Sequence, residues 1–176
     1  KIITTSELIE SEMLSDLKVK CLILNHIDSP SKMNYQEEIS YLITHKKRND
    51  FIINLAKKLE GNTLVLFNYV ENHGIKLFEQ MEKEVFDKNL FFMSGETKAE
   101  LRENIRQHVR NNHSDNIIFA SSGVFSTGVN IPALHNVIFS SPTKSKIRVL
   151  QSVGRILRKH DSKETATVYD IADKIY

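Results

Sequence analysis

The sequence predicts an α/β fold, an open, doubly wound and mostly parallel β-sheet with helices on both faces. Short runs such as "TLVLF" (63–67) and "NIIFA" (116–120) are apolar at every position, as in strands that are buried on both faces of a sheet. Segments with helical periodicity separate these runs, which is typical of βαβ crossovers. The 176 residues and the hydrophobic fraction of 40% fit one domain with a core of its own.

Six strands and four helices are expected along the chain. The first strand is "KVKCLIL" (18–24), and a helical pattern follows from about Tyr35 to Leu59. Residues 1–16 are expected to be a linker from an upstream motor domain or the start of the domain formed by residues 17–176. The other elements are a strand at 63–67, a helix at about 71–86, a strand at 89–93, a helix at about 98–111, strands at 116–120 and 136–140, a helix at 144–159 and a strand at 165–171.

The composition argues against several classes of protein. No apolar run reaches the length of a membrane span, and no Gly-x-Gly-x-x-Gly motif follows a strand, which disfavours a Rossmann-type small-molecule enzyme. The seven histidines show no metal-ligand spacing, so no structural metal is expected. The single cysteine, Cys21, rules out an internal disulfide and suits a reducing cytosol. Because Cys21 lies within an apolar strand, its thiol is expected to be buried.

Three polar turns directly follow predicted strands. The second strand is followed by "NYVENHG", the third by "SGET" and the fourth by "SSGVFSTGVNIP". In open α/β sheets, ligands bind outside the carboxyl ends of the strands. We therefore expect the three turns to lie along the same edge of the sheet and to form its functional edge.

The predicted helix at 144–159 concentrates positive charge, although the net charge of the whole chain is only +2. On an ideal helix, Gln151, Arg155 and Arg158 lie together on an arc beside the apolar stripe. Gly154 costs roughly 1 kcal/mol in a helix interior, which calls for a functional reason. Because guanidinium groups suit phosphate oxygens, the pattern favours a phosphate-facing surface over a solvated basic face.

Four segments of the chain resemble motifs of the superfamily 2 helicases and translocases. The residues "QSVGRILR" (151–158) resemble motif VI, "IIFASSGVFSTGVNIP" motif V, "NTLVLFNYVENHG" motif IV, and "FMSGETKAELR" the segment after motif IV. They occur in the family's order from about residue 62 to residue 158. The sequence of residues 47–74 is most similar to that of the UvsW-type repair helicases of T-even phages. The resemblance implies a RecA-like fold and the C-terminal of two motor domains.

The resemblance also implies roles for individual residues. Arg155 would be the arginine finger that contacts the γ-phosphate of ATP, and Arg158 a second contact with it. Gln151, Gly128 and Asn130 would bind nucleotide. The residues that would follow the DNA backbone are Asn68, Tyr69, Ser94, Gly95, Ser121, Ser122, Gly123 and Thr127.

Three departures from the DEAD-box pattern disfavour a DEAD-box RNA helicase. DEAD-box relatives have an arginine at the position of Thr127 and an aspartate at the position of Asn130. Motif V is also one residue longer in this chain. Contacts of the motif V loop with nucleotide are therefore less well supported by the resemblance than those of motif VI.

The sequence lacks a Gly-x-x-x-x-Gly-Lys-[Ser/Thr] phosphate loop and an Asp-Glu-x-[Asp/His] box. The resemblance places both in an N-terminal RecA-like domain of the same parent chain, which would bind most of ATP and Mg²⁺. The implied function is the C-terminal motor domain of an ATP-dependent DNA helicase that acts on branched DNA in the host cytoplasm, in recombination, repair and replication restart. This chain alone is expected to be inactive. The alternative is a non-catalytic RecA-like module that binds nucleic acid or protein.

Overall fold

The six strands of the domain form one sheet in which all neighbouring strands are parallel. The structure, a computed structural model, describes residues 16–112, 115–127, 131, 133–142 and 165–175. The strands lie in the order β1-β6-β5-β2-β4-β3. The strand bounds are β1 Asp16–His26, β2 Asn62–Phe67, β3 Asn89–Met93, β4 Asn116–Ser121, β5 Leu134–Phe139 and β6 Thr165–Ile175.

Helices lie between the consecutive strands from β1 to β5, with two differences from the expected pattern. The predicted helix at 35–59 is broken at His45, whose backbone is extended (φ −69°, ψ 113°) and whose ring Nδ1 accepts a hydrogen bond from the Arg48 N–H. The residues after β4, expected as a loop, begin with a short helix. The helix expected at 144–159 lies outside the described residues. The helical bounds are α1 Tyr35–Thr44, α2 Lys46–Lys58, a π-helical turn Val70–Gly74, α3 Ile75–Glu84, α4 Ala99–Asn111 and α5 Ser122–Thr127.

Helices cover both faces of the sheet, which confirms the predicted fold class. Every residue of β2 and β4 is buried. On one face, Ile52 of α2 and Met81 of α3 belong to the same buried cluster as Phe119 of β4. On the other face, Val109 of α4 packs in a cluster with Leu66 of β2. Complete burial of one such side chain contributes about 1.5–3 kcal/mol. None of the described helices is long and apolar enough to cross a membrane.

The first strand differs from the expectation, because Cys21 is exposed. The prediction of a buried thiol was therefore wrong. Val19 and Ile23 lie on the same face of β1 as Cys21 and are 62% and 65% exposed. β1 ends the order of strands and pairs with β6 alone among the described strands, so the described elements bury it less than they bury β2 and β4.

Asparagines connect the amino ends of four neighbouring strands, β5, β2, β4 and β3. The Asn116 side-chain amide donates to Asn62 Oδ1 at 2.6 Å, and the Asn89 amide donates to Asn116 Oδ1 at 3.1 Å. On β5, the Asn136 amide donates to the Glu60 carbonyl oxygen at 2.8 Å. A buried polar group without a partner costs about 1–3 kcal/mol. A shift of one residue between these strands would break the ladder, so the asparagines fix the strand register.

Candidate nucleic-acid interface at the carboxyl edge of the sheet

The three predicted turns share one edge of the sheet. They follow β2, β3 and β4, and β4 lies between the other two strands. Phe67 at the end of β2 is in register with Ser121 of β4, and Met93 of β3 is in register with Ala120. The predicted common edge is therefore confirmed. Thr127 ends α5, about 8 Å along the helix from Ser122. The other seven described candidates lie at the edge: Asn68, Tyr69, Ser94, Gly95, Ser121, Ser122 and Gly123.

Hydrogen bonds from within the domain fix the turn after β3, and the outer side of the turn is exposed. The Ser94 N–H donates to Thr97 Oγ1 at 2.9 Å. Arg102 Nη2 of α4 donates to the carbonyl oxygens of Ser94 and Gly95 at 3.3 and 3.0 Å. Gly95 is exposed, and a Cβ atom there would meet nothing within 4 Å. The turn therefore presents fixed backbone that a phosphate chain could approach closely.

The turn after β4 uses its serine hydroxyls to organise the start of α5. Ser121 Oγ accepts a hydrogen bond from the Val124 N–H at 3.4 Å, and the Ser122 hydroxyl donates to the Phe67 carbonyl oxygen at 3.3 Å. Ser121 is only 8% exposed, whereas Gly123 is exposed with open space around its Cα. Among residues 121–123, Gly123 is therefore the most exposed.

The turn after β2 directs its donors inward. The Asn68 N–H donates to Ser141 Oγ at 3.1 Å, and Asn68 Nδ2 donates to the Pro142 carbonyl oxygen at 3.3 Å. Tyr69 is half-buried, and its carbonyl oxygen accepts from the Gly74 N–H at 2.9 Å, which closes the π-helical turn. Asn68 therefore connects this turn to the residues that follow β5.

A fully buried histidine, His73, supports the same turn. Its Nδ1 lies 2.9 Å from Ser141 Oγ, and its Nε2 lies 3.2 Å from Asn49 Oδ1. Because an amide oxygen only accepts, Nε2 carries the proton, and the Ser141 hydroxyl donates to Nδ1. Burial, with the positive charge of Arg48 as a second cause, lowers the pKa of His73 to about 3. The ring is therefore neutral at pH 7.

A buried ion cluster lies beside this network, at the ends of β1, β5 and β6. Arg48 Nε donates to both carboxylate oxygens of Asp173 at 2.9 and 3.1 Å, and its Nη1 donates to the Ser140 carbonyl oxygen at 2.6 Å. His26 Nε2 lies 2.8 Å from Asp173 Oδ1. The sequence interpretation missed this cluster. A signal was present, because Arg48 precedes the buried Ile52 by one helical turn and so lies on the apolar stripe of α2.

The predicted nucleotide contacts stay predictions. In the described ranges, no group of three or more His, Cys, Asp or Glu side chains could hold a metal ion. The candidates outside the described residues are Gly128, Asn130, Gln151, Arg155 and Arg158.

Known proteins share this sequence and fold. Residues 46–160 match the helicase conserved C-terminal domain. The ATP-dependent DNA helicase uvsW of Enterobacteria phage T4 is 42% identical over 98% of this chain, and the chain spans 35% of that helicase. The crystal structure of T4 UvsW superposes with a TM-score of 0.76 at 38% identity, covering 91% of this chain and 33% of the other.

A more distant structure shows the fold alone. The C-terminal part of the Fun30 ATPase domain has a TM-score of 0.61 at 14% identity. The match covers 81% of this chain and 45% of the Fun30 chain. The family match extends from α2, through the three turns, to the segment resembling motif VI. The chain therefore belongs to the helicase conserved C-terminal domain family, and its sequence and RecA-like fold are similar to those of the phage helicase UvsW.

Proposed function

We propose that this chain is the C-terminal motor domain of an ATP-dependent DNA helicase or translocase that acts on branched DNA in recombination, repair and replication restart. The observation that carries the proposal is the common edge, where three turns follow adjacent parallel strands and two of them expose backbone, at Gly95 and Gly123. This is the edge at which open α/β sheets bind ligands. Similarity to an ATP-dependent DNA helicase over 98% of the chain supports the same conclusion.

The edge is suited to contacts that do not depend on nucleotide sequence. Gly95 and Gly123 are exposed with open space above them, so a phosphate can approach their backbone. Backbone amides and hydroxyls bind phosphates without reading bases, as a motor that moves along any strand requires. We propose that the strand follows the turns after β2, β3 and β4, and that Thr127 extends this track.

ATP hydrolysis is proposed to need a second domain. An N-terminal RecA-like domain of the parent chain would supply the phosphate loop and hold most of ATP and Mg²⁺, since this sequence has no phosphate loop. Gln151, Gly128 and Asn130 would line the nucleotide, while Arg155 and Arg158 would contact the γ-phosphate. An arginine finger contributes about 10³–10⁵ in rate, or roughly 4–7 kcal/mol, which exceeds the cost of a glycine inside the helix.

The test is the DNA-stimulated ATPase activity of the parent two-domain protein, measured together with its DNA affinity. Arg155→Ala is expected to lower kcat by about a hundredfold or more while the Kd for DNA changes by less than about threefold. The matched control is Arg110→Ala, because Arg110 is an exposed arginine near the end of α4, at the opposite edge of the sheet, and should leave kcat unchanged. Unchanged turnover in Arg155→Ala would instead favour the non-catalytic RecA-like module.

The preference for branched DNA needs a separate measurement. ATPase stimulation should be compared among a four-way junction, a forked duplex, an R-loop, a linear duplex and a single strand, at equal nucleotide concentration. The proposal expects the branched structures to stimulate the parent protein most strongly. Equal stimulation by linear DNA would contradict the branched-DNA part of the proposal and leave the motor assignment intact.

A further inference from the structure

The chain leaves β5 through residues 140–142, which we call the exit segment. Hydrogen bonds from several elements hold this segment. The Ser140 N–H and hydroxyl both donate to the Leu66 carbonyl oxygen of β2, at 3.0 and 2.6 Å. Arg48 of α2 donates to the Ser140 carbonyl oxygen at 2.6 Å, and the Arg48 side chain is itself fully buried. The position of the exit segment is therefore set from inside the domain.

Ser141 connects the exit segment to the DNA-facing edge through a single oxygen atom. Its Oγ accepts from the Asn68 N–H at 3.1 Å and donates to His73 Nδ1 at 2.9 Å. Ser141 is 6% exposed, so water cannot readily replace either bond. Asn68 adds a second connection, from its side-chain amide to the Pro142 carbonyl oxygen.

The place of the exit segment in the chain gives these bonds a functional meaning. Gln151 follows Pro142 by nine residues in the sequence, and Arg155 follows Pro142 by thirteen. The turn after β2 therefore contacts, through Asn68, the start of the stretch that carries the proposed arginine finger.

We propose that the exit segment is a positioning clamp in which Ser141 and Asn68 fix the start of the arginine-bearing stretch relative to the DNA-contacting edge. The inference rests on the proposed function, because it assigns Ser141 an effect that passes through Arg155. Asn68 acts as the connecting residue, since its N–H and its side-chain amide both bond to the exit segment. His73 stabilises the clamp from the interior of the domain, because its neutral ring accepts a hydrogen bond from the Ser141 hydroxyl.

The experiment uses the parent two-domain protein with Ser141→Ala. We expect kcat of the DNA-stimulated ATPase to fall about tenfold or more, because a misplacement of about 1 Å can cost about 10² in rate. The KM for ATP and the Kd for DNA should change by less than about threefold. The double variant Ser141→Ala/Arg155→Ala should be no slower than Arg155→Ala alone, since the clamp acts only through that arginine.

A control separates positioning from general destabilisation. Asn136→Ala removes buried side-chain bonds to the Glu60 carbonyl oxygen and Thr63 Oγ1 at the opposite edge of the sheet. It should lower thermal stability but leave kcat per folded molecule unchanged. If Ser141→Ala does not fold, Asn68→Ala is measured instead. The Asn68→Ala substitution removes only the half-buried hydrogen bond to the Pro142 carbonyl oxygen and should also lower kcat.

The outcomes distinguish the clamp from the proposed function. Loss of kcat in Arg155→Ala with wild-type kcat in Ser141→Ala, or in Asn68→Ala if that variant is used, would overturn the clamp alone. Independent losses that multiply in the double variant would also overturn it. An Arg155→Ala variant with wild-type turnover would overturn the proposed function and, with it, the clamp.

Discussion

Lowering the pH from 7 to 5 should destabilise this domain through one buried side chain, His73. The ring is fully buried, and its Nδ1 accepts the hydroxyl proton of Ser141. Protonation of the folded chain would break that acceptance and place a charge beside Arg48. The folded domain therefore keeps the ring neutral, whereas in the unfolded chain the ring binds a proton near its ordinary pKa of 6.5.

The size of the effect follows from the two pKa values of His73. Its pKa is about 3 in the folded chain, because burial and then Arg48 disfavour the charge. Above pH 6.5 both states are neutral and the stabilisation is complete. Below pH 6.5 the unfolded state binds the extra proton, so stability falls as the pH drops toward 3. The slope approaches about 1.4 kcal/mol per pH unit, which gives a loss of about 2 kcal/mol between pH 7 and pH 5.

The assay is urea unfolding at pH 7, 6 and 5 for the wild type and for His73→Gln, which cannot titrate. The glutamine amide can pair less well with Ser141 and lower the stability of the variant at every pH. The comparison is therefore between the changes in the free energy of unfolding with pH, not between the absolute stabilities. Other titrating groups act on both proteins and cancel in the difference. The wild type should lose about 2 kcal/mol more than the variant. Parallel losses in the two proteins would refute the assignment of His73 as a neutral buried acceptor.

Two further predictions concern packing and buried charge. Gly74→Ala should lower the free energy of unfolding by about 1–3 kcal/mol in urea, because a Cβ at this position overlaps the buried Phe67 ring. Gly95→Ala, with open space around it, should stay within about 0.5 kcal/mol, and a wild-type stability for Gly74→Ala would contradict the overlap. Arg48→Ala should cost about 3–5 kcal/mol in the same assay, because it leaves the Asp173 carboxylate buried without its arginine partner. A loss below about 1 kcal/mol would contradict a large contribution of the Arg48–Asp173 ion pair to stability.

The strands could be predicted from the sequence because their signal is local. The strand expected at 89–93 coincides with β3, and the one expected at 63–67 falls within β2. The break at His45 could not be predicted from a turn residue, since no glycine or proline marks it. It depends on a ring nitrogen that caps the next helix. The exposure of Cys21 depends on the place of β1 in the order of strands, which the local pattern does not contain.

The place of the candidate site could be predicted from the sequence, but its hydrogen bonds could not. Parallel strands imply a common edge for their carboxyl ends, so the turns at Asn68, Ser94 and Ser121 could be placed together without coordinates. The hydrogen bonds that occupy Asn68 could not be foreseen, because its partner Ser141 is 73 residues away. Long-range polar pairing carries no periodic signal in a sequence. The inward role of Asn68 therefore became visible only in the structure.

The asparagine ladder lies at the opposite edge of the sheet from the turns that are proposed to contact DNA. Asn62, Asn89, Asn116 and Asn136 pin the strands at their amino ends, whereas the candidate turns lie at the carboxyl ends. Replacing a residue in an exposed turn leaves every rung of that ladder intact. The determinants of strand register are thus separate from the turns, so substitutions in the turns are expected to leave the alignment of the sheet unchanged.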